Sequence, residues 1–416
     1  MTNEMQRTEI AVIGGGGAGF FAAITAAERN PRATVTIFEK SSRFLSKVRI
    51  SGGGRCNVTH ACFDPAELAG RFPRGSRELR GAFHRWQPRD TIRWFEERGV
   101  ALKTEDDGRI FPVTDDSATV VDCFLEAARE AGVRLRTQTA IRGITIAPDG
   151  FRLRMQDDTV TRADRVFVAP GSLQSSLIGA SLRDLGHTIE PLAPSLFSFH
   201  VSDGRIRGLQ GISVSRARVR VLPKSGPREG PVLITHEGFS GPAILRLSAW
   251  EARRLQALDY RFDIALQWLA DHTPESLRAE FASRRKRSGD RKVKNTPMEG
   301  IPKRLWESLC RVSGIGESAT WARLKSEQER ALVTELTGAR YSVRGKTMNK
   351  EEFVTCGGIR LKEVDFRSME SRIVPGLYFG GECLDIDGIT GGFNFQSAWT
   401  TGRIAGEAMV SGGQRS

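Results

Sequence analysis

The stretch Ile10-Ala-Val-Ile-Gly-Gly-Gly-Gly-Ala-Gly19 decides the fold of the first part of this chain of 416 residues. Its four apolar residues predict a buried strand, and the spacing Gly14-x-Gly16-x-x-Gly19 predicts a tight turn into a helix that ends near Arg29. In such a motif the first glycine permits the turn, the second lets the backbone approach a pyrophosphate, and the third lets helix and strand pack closely. Free N–H groups at the start of the helix favour phosphate binding. The segment therefore predicts the first βαβ unit of a dinucleotide-binding domain.

A second glycine-rich segment lies near the other end of the chain. It runs from Gly380-Gly-Glu382 to Gly391-Gly-Phe-Asn394 and leads into a helix that we expect to reach Met409. Glu39, which follows the predicted strand at 34–38, can accept hydrogen bonds from both hydroxyls of a ribose. One ligand held at its pyrophosphate by the first segment and at its far ring by the second would need both segments. That pairing predicts a flavin, whose reduced ring the N-terminus of the last helix would stabilise.

Ser51-Gly-Gly-Gly-Arg-Cys-Asn57 is a further concentration of glycine. A run of glycines can form a nest of N–H groups that binds an anion, and Arg55 adds a planar cation in a segment that also contains Lys47. The same run could instead be a flexible surface loop. Cys56 also has two interpretations: beside Arg55 its pKa could be lowered, making it a catalytic acid or nucleophile, or it could be inert packing.

The charge balance favours a polyanionic partner. Lys and Arg number 62 against 49 Asp and Glu, which gives a net charge of +13 and a pI near 9.9. Nucleic acid is the partner that this balance suggests, and a merely soluble basic surface is the alternative. The run Arg284-Arg-Lys-Arg287, continued by Arg291, Lys292 and Lys294, has the same two interpretations: an RNA-facing patch or a solvated helix face.

The cysteines and the apolar runs argue against several other classes of protein. Six cysteines stand far apart, without a CxxC pair or a zinc-like Cys/His spacing, so we expect no metal and a reduced cytoplasmic protein. No apolar run approaches the ~20 residues of a membrane span. The N-terminus has mixed charge and enters a strand early, so we expect no signal peptide and no membrane partner.

The order of segments predicts a dinucleotide-binding domain interrupted by an insertion. Residues 133–146 and 151–155 alternate like antiparallel strands. Within the insertion, 196–250 and about 336–345 are expected to be β-rich, and about 251–335 helical. The expected boundaries are 1–195 for the first part of the flavin-binding domain, 196–345 for the inserted substrate domain, and 346–416 for the C-terminal part.

One segment of the insertion, Thr235-His-Glu-Gly-Phe-Ser-Gly-Pro242, is dense in polar and turn-forming residues. His236 could donate a proton to a substrate there. A single histidine is more often structural, so the pattern leaves both roles open.

Together these segments resemble the YhiN-like and BaiN-like family of bacterial flavoproteins, which includes aminoacetone oxidase. The resemblance covers nearly the whole chain in order, and it implies an α/β fold: a Rossmann-like FAD-binding domain of the two-dinucleotide-binding flavoprotein type, with an inserted β-rich plus helical substrate domain. The FAD would be held non-covalently. The matching blocks are Gly14-Gly-Gly-Gly-Ala-Gly19, Ile50-Ser-Gly-Gly-Gly-Arg-Cys-Asn57, Thr235-His-Glu-Gly-Phe-Ser-Gly-Pro242, Gly357-Gly358, Gly376-Leu-Tyr-Phe-Gly-Gly-Glu382, Leu384-Asp-Ile-Asp-Gly388 and Gly391-Gly-Phe-Asn394.

The resemblance also implies individual contacts with FAD. In related flavoproteins of this type the strand residue that matches Ile141 lies against the adenine. Ala169-Pro-Gly-Ser172 stands where the family commonly has Ala-Thr-Gly-Gly, so Pro170 removes a backbone donor, and Phe393 replaces a frequent tyrosine. Glu382 could bind a ribityl hydroxyl. The residues expected to contact FAD are Gly14, Gly16, Gly17, Ala18, Gly19, Glu39, Lys40, Lys47, Gly53, Gly54, Arg55, Cys56, Asn57, Ile141, Ala169, Pro170, Gly171, Gly381, Glu382, Asp385, Gly392, Phe393 and Asn394.

We therefore expect an FAD-dependent oxidoreductase. Members of the family are associated with different substrates, and the positive charge favours uridine in ribosomal RNA, reduced to dihydrouridine, with Cys56 and His236 as candidate acids. A small-molecule amine oxidase or enone reductase is one alternative, and an RNA-binding protein with structural FAD is another. No second dinucleotide motif marks a domain for NAD(P)H, so NAD(P)H would act only as a transient electron donor. The sequence leaves the oligomeric state open.

Overall fold

The computed structural model of the protein describes residues 7–347 and 354–411. These residues form two compact units. The first consists of 7–193 together with 354–411, so its two parts flank the second unit in sequence. The second unit consists of 194–347.

A seven-stranded sheet forms the centre of the first unit. Its first strand, Glu9–Ile13, lies between two parallel neighbours, and the whole parallel part has five strands. The helix Gly17–Arg29 connects the parallel strands Glu9–Ile13 and Thr34–Phe38, which is the βαβ unit that the opening segment predicts. In spatial order the strands are Val364–Asp365, Glu370–Ser371, Leu377–Phe379, Arg165–Val168, Glu9–Ile13, Thr34–Phe38 and Arg134–Arg136.

The last strand in that order corrects one expectation. Residues 133–146 do not form a single antiparallel strand, because Arg134–Arg136 pairs parallel to Thr34–Phe38. Only Ile141–Ala147 pairs antiparallel with Gly150–Met155, and Val160–Ala163 completes that three-stranded sheet. Three exposed or half-buried residues such as 134–136 contain too few alternations to reveal which sheet they join.

Two helices on one side of the central sheet pack closely, Gly17–Arg29 from the start of the chain and Phe393–Ser411 from its end. A Cβ on Gly402 would lie 2.5 Å from the carbonyl oxygen of Ala18, and one on Gly406 would lie 2.5 Å from that of Ala22. Glycine at these positions therefore lets the two backbones approach. This packing brings the two glycine-rich ends of the sequence into one unit.

Shorter elements complete the first unit. Its helices are Ser46–Ile50, Pro65–Ala69, Ser76–Phe83, Pro88–Glu96, Ser117–Glu130 and Gly179–Asp184, and its short 3-10 turns are Ser51–Gly54, Leu173–Ser175, Leu361–Glu363 and Gly381–Cys383. Two further small sheets contain the strands Thr59–His60, Arg109–Pro112 and Leu102–Thr104, and the strands Ile189–Ser195 and Val354–Ile359.

The second unit is built on another seven-stranded sheet, which is antiparallel throughout. Helices cover its buried face, and the core between them contains Trp268, Trp306 and Tyr341. The strands in spatial order are Ala339–Arg344, Arg261–Gln267, Ser213–Val221, Arg228–Ile234, Gly238–Ser240, Ser198–His200 and Lys346–Thr347. The helices are Pro242–Trp250, Ala252–Ala257, Pro274–Arg287, Lys303–Val312 and Ser326–Gly338, with 3-10 turns at Val293–Asn295 and Trp321–Arg323.

The division of this unit into β-rich and helical stretches was wrong in two places. Arg261–Gln267, inside the stretch expected to be helical, is a strand hydrogen-bonded to neighbours on both sides, with Phe262, Ile264 and Leu266 directed inward. Pro242–Trp250, inside a stretch expected to be β-rich, is a helix. Buried and less buried residues alternate along Arg261–Gln267, as expected of a strand. Its seven residues are nevertheless flanked by long segments with a helical pattern, and these determine the prediction for the whole stretch.

Candidate functional site

The glycine loop after the first strand forms a cradle with an open side. Gly14 has a φ of +108°, and its N–H donates to the carbonyl oxygen of Phe38 at 2.8 Å. A Cβ on Gly14 would lie 2.2 Å from the carbonyl oxygen of Ala169, and one on Gly19 would lie 2.0 Å from that of Gly14. At Gly16, by contrast, a Cβ would meet no described atom within 4 Å. Two glycines are thus required for packing, whereas Gly16 leaves room in front of the helix N-terminus for a pyrophosphate.

Glu39 lies beside this cradle. Its Oε2 accepts a hydrogen bond from the N–H of Gly15 at 2.8 Å, and its Oε1 accepts from the N–H and the hydroxyl of Ser41 at 2.9 and 2.8 Å. A carboxylate has about four acceptor positions and these contacts use three, so a hydrogen bond from a ribose hydroxyl is compatible with them. The bond to Gly15 fixes the carboxylate next to the phosphate cradle, as a dinucleotide site requires.

A cavity lies next to Gly14 and Glu39, at the carboxyl end of the first two strands, where open α/β sheets bind their ligands. Lys40, Ile141 and Pro170 also line it, so the structure brings together five of the residues that were expected to contact FAD. Ile141 is buried there. The full lining is Ile13, Gly14, Phe38, Glu39, Lys40, Thr139, Ala140, Ile141, Pro170, Ser176 and Leu177.

The two glycine-rich ends of the sequence approach each other next to Glu382, since a Cβ on Gly381 would lie 3.1 Å from the Cβ of Ala18. Oε2 of Glu382 lies 2.5 Å from Nζ of Lys47, and its Oε1 accepts a hydrogen bond from the N–H of Thr355 at 3.1 Å. A Cβ on Gly171, the residue after Pro170, would lie 3.9 Å from Oε2 of the same Glu382. Ala169 donates to the carbonyl oxygen of Ile13 at 2.8 Å. The segment 169–171 therefore lies between the first strand and the C-terminal segment.

Carboxylates and a hydroxyl shape the C-terminal segment from within. The N–H of Gly381 donates to Oγ1 of Thr401 at 2.9 Å, and the N–H of Gly357 donates to Oδ1 of Asp385 at 3.0 Å. Asp387 is fully buried and forms an ion pair with the guanidinium of Arg74. Asp385 and Asp387 thus hold the turn, and Arg74 is a partner that sequence reasoning missed.

The start of the last helix contacts the loop that follows the Gly52–Gly54 run. The Asn57 amide, oriented with its nitrogen toward the carbonyl oxygen of Thr59, places its oxygen 3.0 Å from the N–H of Gly392. The ring of Phe393 stacks on His60 with centroids 4.6 Å apart. Asn394 accepts a hydrogen bond from the N–H of Gly388 at 2.8 Å and donates to its carbonyl oxygen at 3.0 Å. His60 was also missed, and its only signal was its place three residues after Asn57.

The glycine run after Ser51 turns tightly and leaves space around it. Gly52, Gly53 and Gly54 have φ angles of +58°, +70° and +86°, and a Cβ on either of the last two would meet no described atom within 4 Å. Arg55 does not lie over this space. Its guanidinium pairs with Glu105 at 2.6 Å and Asp115 at 3.4 Å, and it stacks over Phe111 at 3.9 Å. The backbone of the glycine run can cradle a ligand, but the guanidinium of Arg55 forms ion pairs with carboxylates of the protein itself.

The two candidate acids have contrasting environments. Cys56 is fully buried, and burial raises the pKa of its thiol to about 12, which favours packing over acid or nucleophile chemistry. The side chain of His236 is 84% exposed, and its Nε2 lies 3.9 Å from Oε1 of Glu237. His236 belongs to the second unit and Cys56 to the first.

Half of the basic run at 284–287 is tied into the fold. Arg284 pairs with Glu280 at 2.8 Å and donates to the carbonyl oxygen of Thr296 at 2.6 Å. Arg285 pairs with Glu329 at 2.8 Å and donates to the carbonyl oxygens of Trp321 and Leu324. The run is therefore neither a uniform RNA-facing patch nor a uniform solvated face.

Residues 7–347 and 354–411 contain neither a cluster of metal ligands nor a helix suited to crossing a membrane. No group of His, Cys, Asp and Glu side chains there is arranged to hold a metal ion. Nor does that part of the chain contain a helix of the length and apolar character needed to cross a membrane.

The residues of the first unit fit FAD. The open space at Gly16 would receive the pyrophosphate, Glu39 and the cavity beside it the adenosine, and Glu382 with the turn at 391–394 the flavin end. A side chain on Gly16 would enter that space, which gives the assignment a direct test.

Comparison with known proteins agrees with this geometry. The model of the "HI0933-like protein Rossmann domain" family matches residues 8–408. A ribosomal RNA dihydrouridine synthase of Escherichia coli (strain K12) is 28% identical over 417 residues, 98% of this chain and 99% of the relative. A 3-dehydro-bile acid delta(4,6)-reductase of Clostridium scindens is 29% identical over 422 residues, 96% of this chain and 98% of the relative. In structure, a 3-ketosteroid-delta4-(5alpha)-dehydrogenase from Rhodococcus jostii RHA1 shares the fold, with a TM-score of 0.51, 14% identity and 98% of each chain covered.

Proposed function

Because this chain belongs to the HI0933-like Rossmann family and is an FAD-dependent oxidoreductase, we propose that it reduces uridine in ribosomal RNA to dihydrouridine. The observation that carries the proposal is the charge of +13 in a chain whose full-length relative acts on ribosomal RNA. A polyanionic substrate gains affinity from such a surface, whereas a small neutral substrate gains little. The basic charge therefore favours an RNA substrate over a small neutral one.

The reaction is the saturation of one double bond. Uracil C5=C6 is conjugated to the C4 carbonyl, so hydride adds to C6, the carbon β to the carbonyl, and a proton adds to C5. Bound FAD supplies hydride transfer. We propose NAD(P)H as the donor that returns the two electrons, bound only transiently. The same bond pattern, a double bond conjugated to a carbonyl, links this reaction to the reduction of an enone.

The residues of the first unit would bind FAD and stabilise charge on it. The N–H groups in front of the helix Gly17–Arg29 would hold the pyrophosphate, and Glu39 the adenosine ribose. The helix that begins at Phe393 would direct its positive end toward the flavin end of the site and stabilise negative charge there. None of these roles requires a group with a shifted pKa.

The proton for C5 is proposed to come from His236. A thiol whose pKa is about 12 releases its proton too reluctantly to serve as an efficient acid near neutral pH, which disfavours Cys56. The imidazole of His236 can donate a proton through a ring N–H, and its exposed side chain is accessible to a large substrate.

Ribosomal RNA from a strain that lacks the gene tests the function. Its dihydrouridine content, measured by mass spectrometry of nucleosides, is expected to fall and to be restored by the wild-type gene. Unchanged content in the deletion strain would rule out the proposal. Complementation with His236→Gln should restore less dihydrouridine, by a factor of about 10² or more, while Cys56→Ala should restore it nearly fully.

A small-molecule enone reductase is the second candidate, because the relative named as a bile acid reductase matches this chain as fully as the RNA enzyme does. That function predicts turnover of a steroid-like enone by the purified protein with little dependence on salt. Reduction of the enone together with normal dihydrouridine in the deletion strain would favour this candidate.

A further inference from the structure

We propose that a cluster of exposed cations in the second unit binds the phosphates of the RNA substrate, an inference that rests on the proposed function. We call this surface the basic end, because it surrounds the C-terminal end of the helix Pro274–Arg287. It consists of Lys286, Arg287, Arg291, Lys292 and Arg323.

Backbone hydrogen bonds join the segments that supply these side chains. Ala322 donates to the carbonyl oxygen of Gly289 at 2.9 Å, and Trp321 donates to that of Arg291 at 3.1 Å. Lys292 forms a β-bridge with Thr320. Residues 288–292 therefore lie against 320–322, and Arg323 shares a surface with cations that precede it by more than thirty positions in the sequence.

The cations of the basic end are available to a ligand. All five are exposed. Within the described part of the chain, Lys286, Arg291, Lys292 and Arg323 form no ion pair, and Arg287 approaches Glu280 at 3.4 Å. The acidic side chain in the same loop is Asp290, so positive charge dominates the surface.

The neighbouring cations show why this availability is informative. Arg284, Arg285 and Lys294 stand in the same segments but pair with Glu280, Glu329 and Glu317. A helix C-terminus favours cations in its last turn, which accounts for Lys286 and Arg287 alone. Arg291, Lys292 and Arg323 lie beyond the helix, so the helix dipole does not explain them.

The chemistry of the surface fits a phosphate backbone better than a membrane. Guanidinium groups bind phosphate oxygens with two parallel hydrogen bonds, and lysines bind them as mobile point charges. A membrane-binding surface needs exposed apolar side chains among its cations. Among the described residues, no large apolar side chain that is strongly exposed belongs to 284–294 or 320–325.

The test neutralises the unpaired cations and measures RNA binding. The variant Lys286→Gln/Arg291→Gln/Lys292→Gln/Arg323→Gln is compared with the wild-type holoenzyme on ribosomal RNA purified from the deletion strain, between about 50 and 200 mM salt. We expect affinity to fall at least tenfold and the slope of log K against log salt to decrease in magnitude by about 3, because each lost phosphate contact removes about 0.7 from it on single strands. FAD content and reduction of the bound FAD by NAD(P)H should be unchanged.

A matched control separates position from total charge. Arg32→Gln/Arg77→Gln/Arg134→Gln/Arg154→Gln removes the same charge from exposed arginines of the first unit. Loss of binding in the first variant but not in the control supports the basic end. Equal loss in both variants, or no loss in the first, overturns it while leaving the proposed function intact. Wild-type protein that binds RNA through the basic end but forms no dihydrouridine would uphold the surface and refute the function.

Discussion

The glycine loop of the first unit and the basic run of the second are both short segments of biased composition, but their surroundings are determined over different distances. The loop at 14–19 is completed by Glu39, which bonds to Gly15 from 24 positions away, within the same βαβ unit. In the basic run, Arg285 pairs with Glu329 from 44 positions away. A motif whose spacing is set by its ligand can therefore be recognised from a short segment of sequence. The role of a charged side chain depends instead on partners that lie outside such a segment.

The largest effect should come from placing side chains on two glycines of the loop. In Gly19→Ala the new Cβ would lie 2.0 Å from a backbone carbonyl, so we expect the free energy of unfolding to fall by about 3 kcal/mol or more. In Gly16→Ala the Cβ enters open space, so stability without FAD should change by less than about 0.5 kcal/mol. FAD affinity should nevertheless fall at least about tenfold, since the methyl group occupies the pyrophosphate cradle.

Thermal or urea unfolding of the FAD-free variants, with flavin titration by fluorescence, measures both quantities. If Gly16→Ala bound FAD as tightly as the wild type, the pyrophosphate would not lie where we place it. If Gly19→Ala were as stable as Gly16→Ala, the comparison between packing and ligand glycines would fail.

The architecture of the first unit could be predicted because each of its signals is local. Strand, glycine spacing, helix and terminal carboxylate follow one another within the segment 10–39, and the final helix was expected to within about two residues of its observed end. The second unit resisted prediction for the opposite reason. Arg261–Gln267 is a strand only because Ala339–Arg344 and Ser213–Val221 pair with it, and both are distant in sequence.

The second-largest effect is a difference in stability between substitutions of two neighbouring cations in the basic run. Arg285→Gln removes hydrogen bonds to Trp321 and Leu324 and leaves Glu329 without this guanidinium, so we expect a loss of about 2 kcal/mol in the free energy of unfolding. Lys286→Gln removes an exposed charge and should change stability by less than about 0.5 kcal/mol. Urea unfolding of the holoenzyme checks both. Equal destabilisation by the two substitutions would contradict the division of the run.

Some site residues were beyond prediction for the same reason of distance. The charge of Arg55 was expected to face an anion, but Glu105 and Asp115 meet it from fifty or more positions further along the chain. Cys56 follows that arginine directly, yet burial raises the pKa of its thiol and outweighs the opposing effect of a hydrogen bond with Ser51. Arg74 gave no signal at all, because its partner, Asp387, lies 313 positions away. For Arg55 and Cys56 the adjacent residues suggested a chemistry that long-range packing changed.

The smallest effect concerns two pairs of Asp and Arg two residues apart, one in each unit. Hydrogen bonds from Arg367 lower the pKa of Asp365 to about 2, whereas Asp259 is 89% exposed and 3.8 Å from Arg261. A carboxyl whose pKa is lower in the folded state stabilises it above its unfolded pKa of about 3.9, and this stabilisation is lost as pH falls toward about 2. Asp365→Asn should thus lower the free energy of unfolding by about 1 kcal/mol at neutral pH, after allowance for solvent screening of Arg367, and the difference from wild type should vanish between about pH 4 and pH 2. Asp259→Asn should change nothing at either pH. Urea midpoints across this range decide the matter: a penalty for Asp365→Asn that persisted at pH 2 would mean that lost packing, and not the lost charge, distinguishes the two pairs.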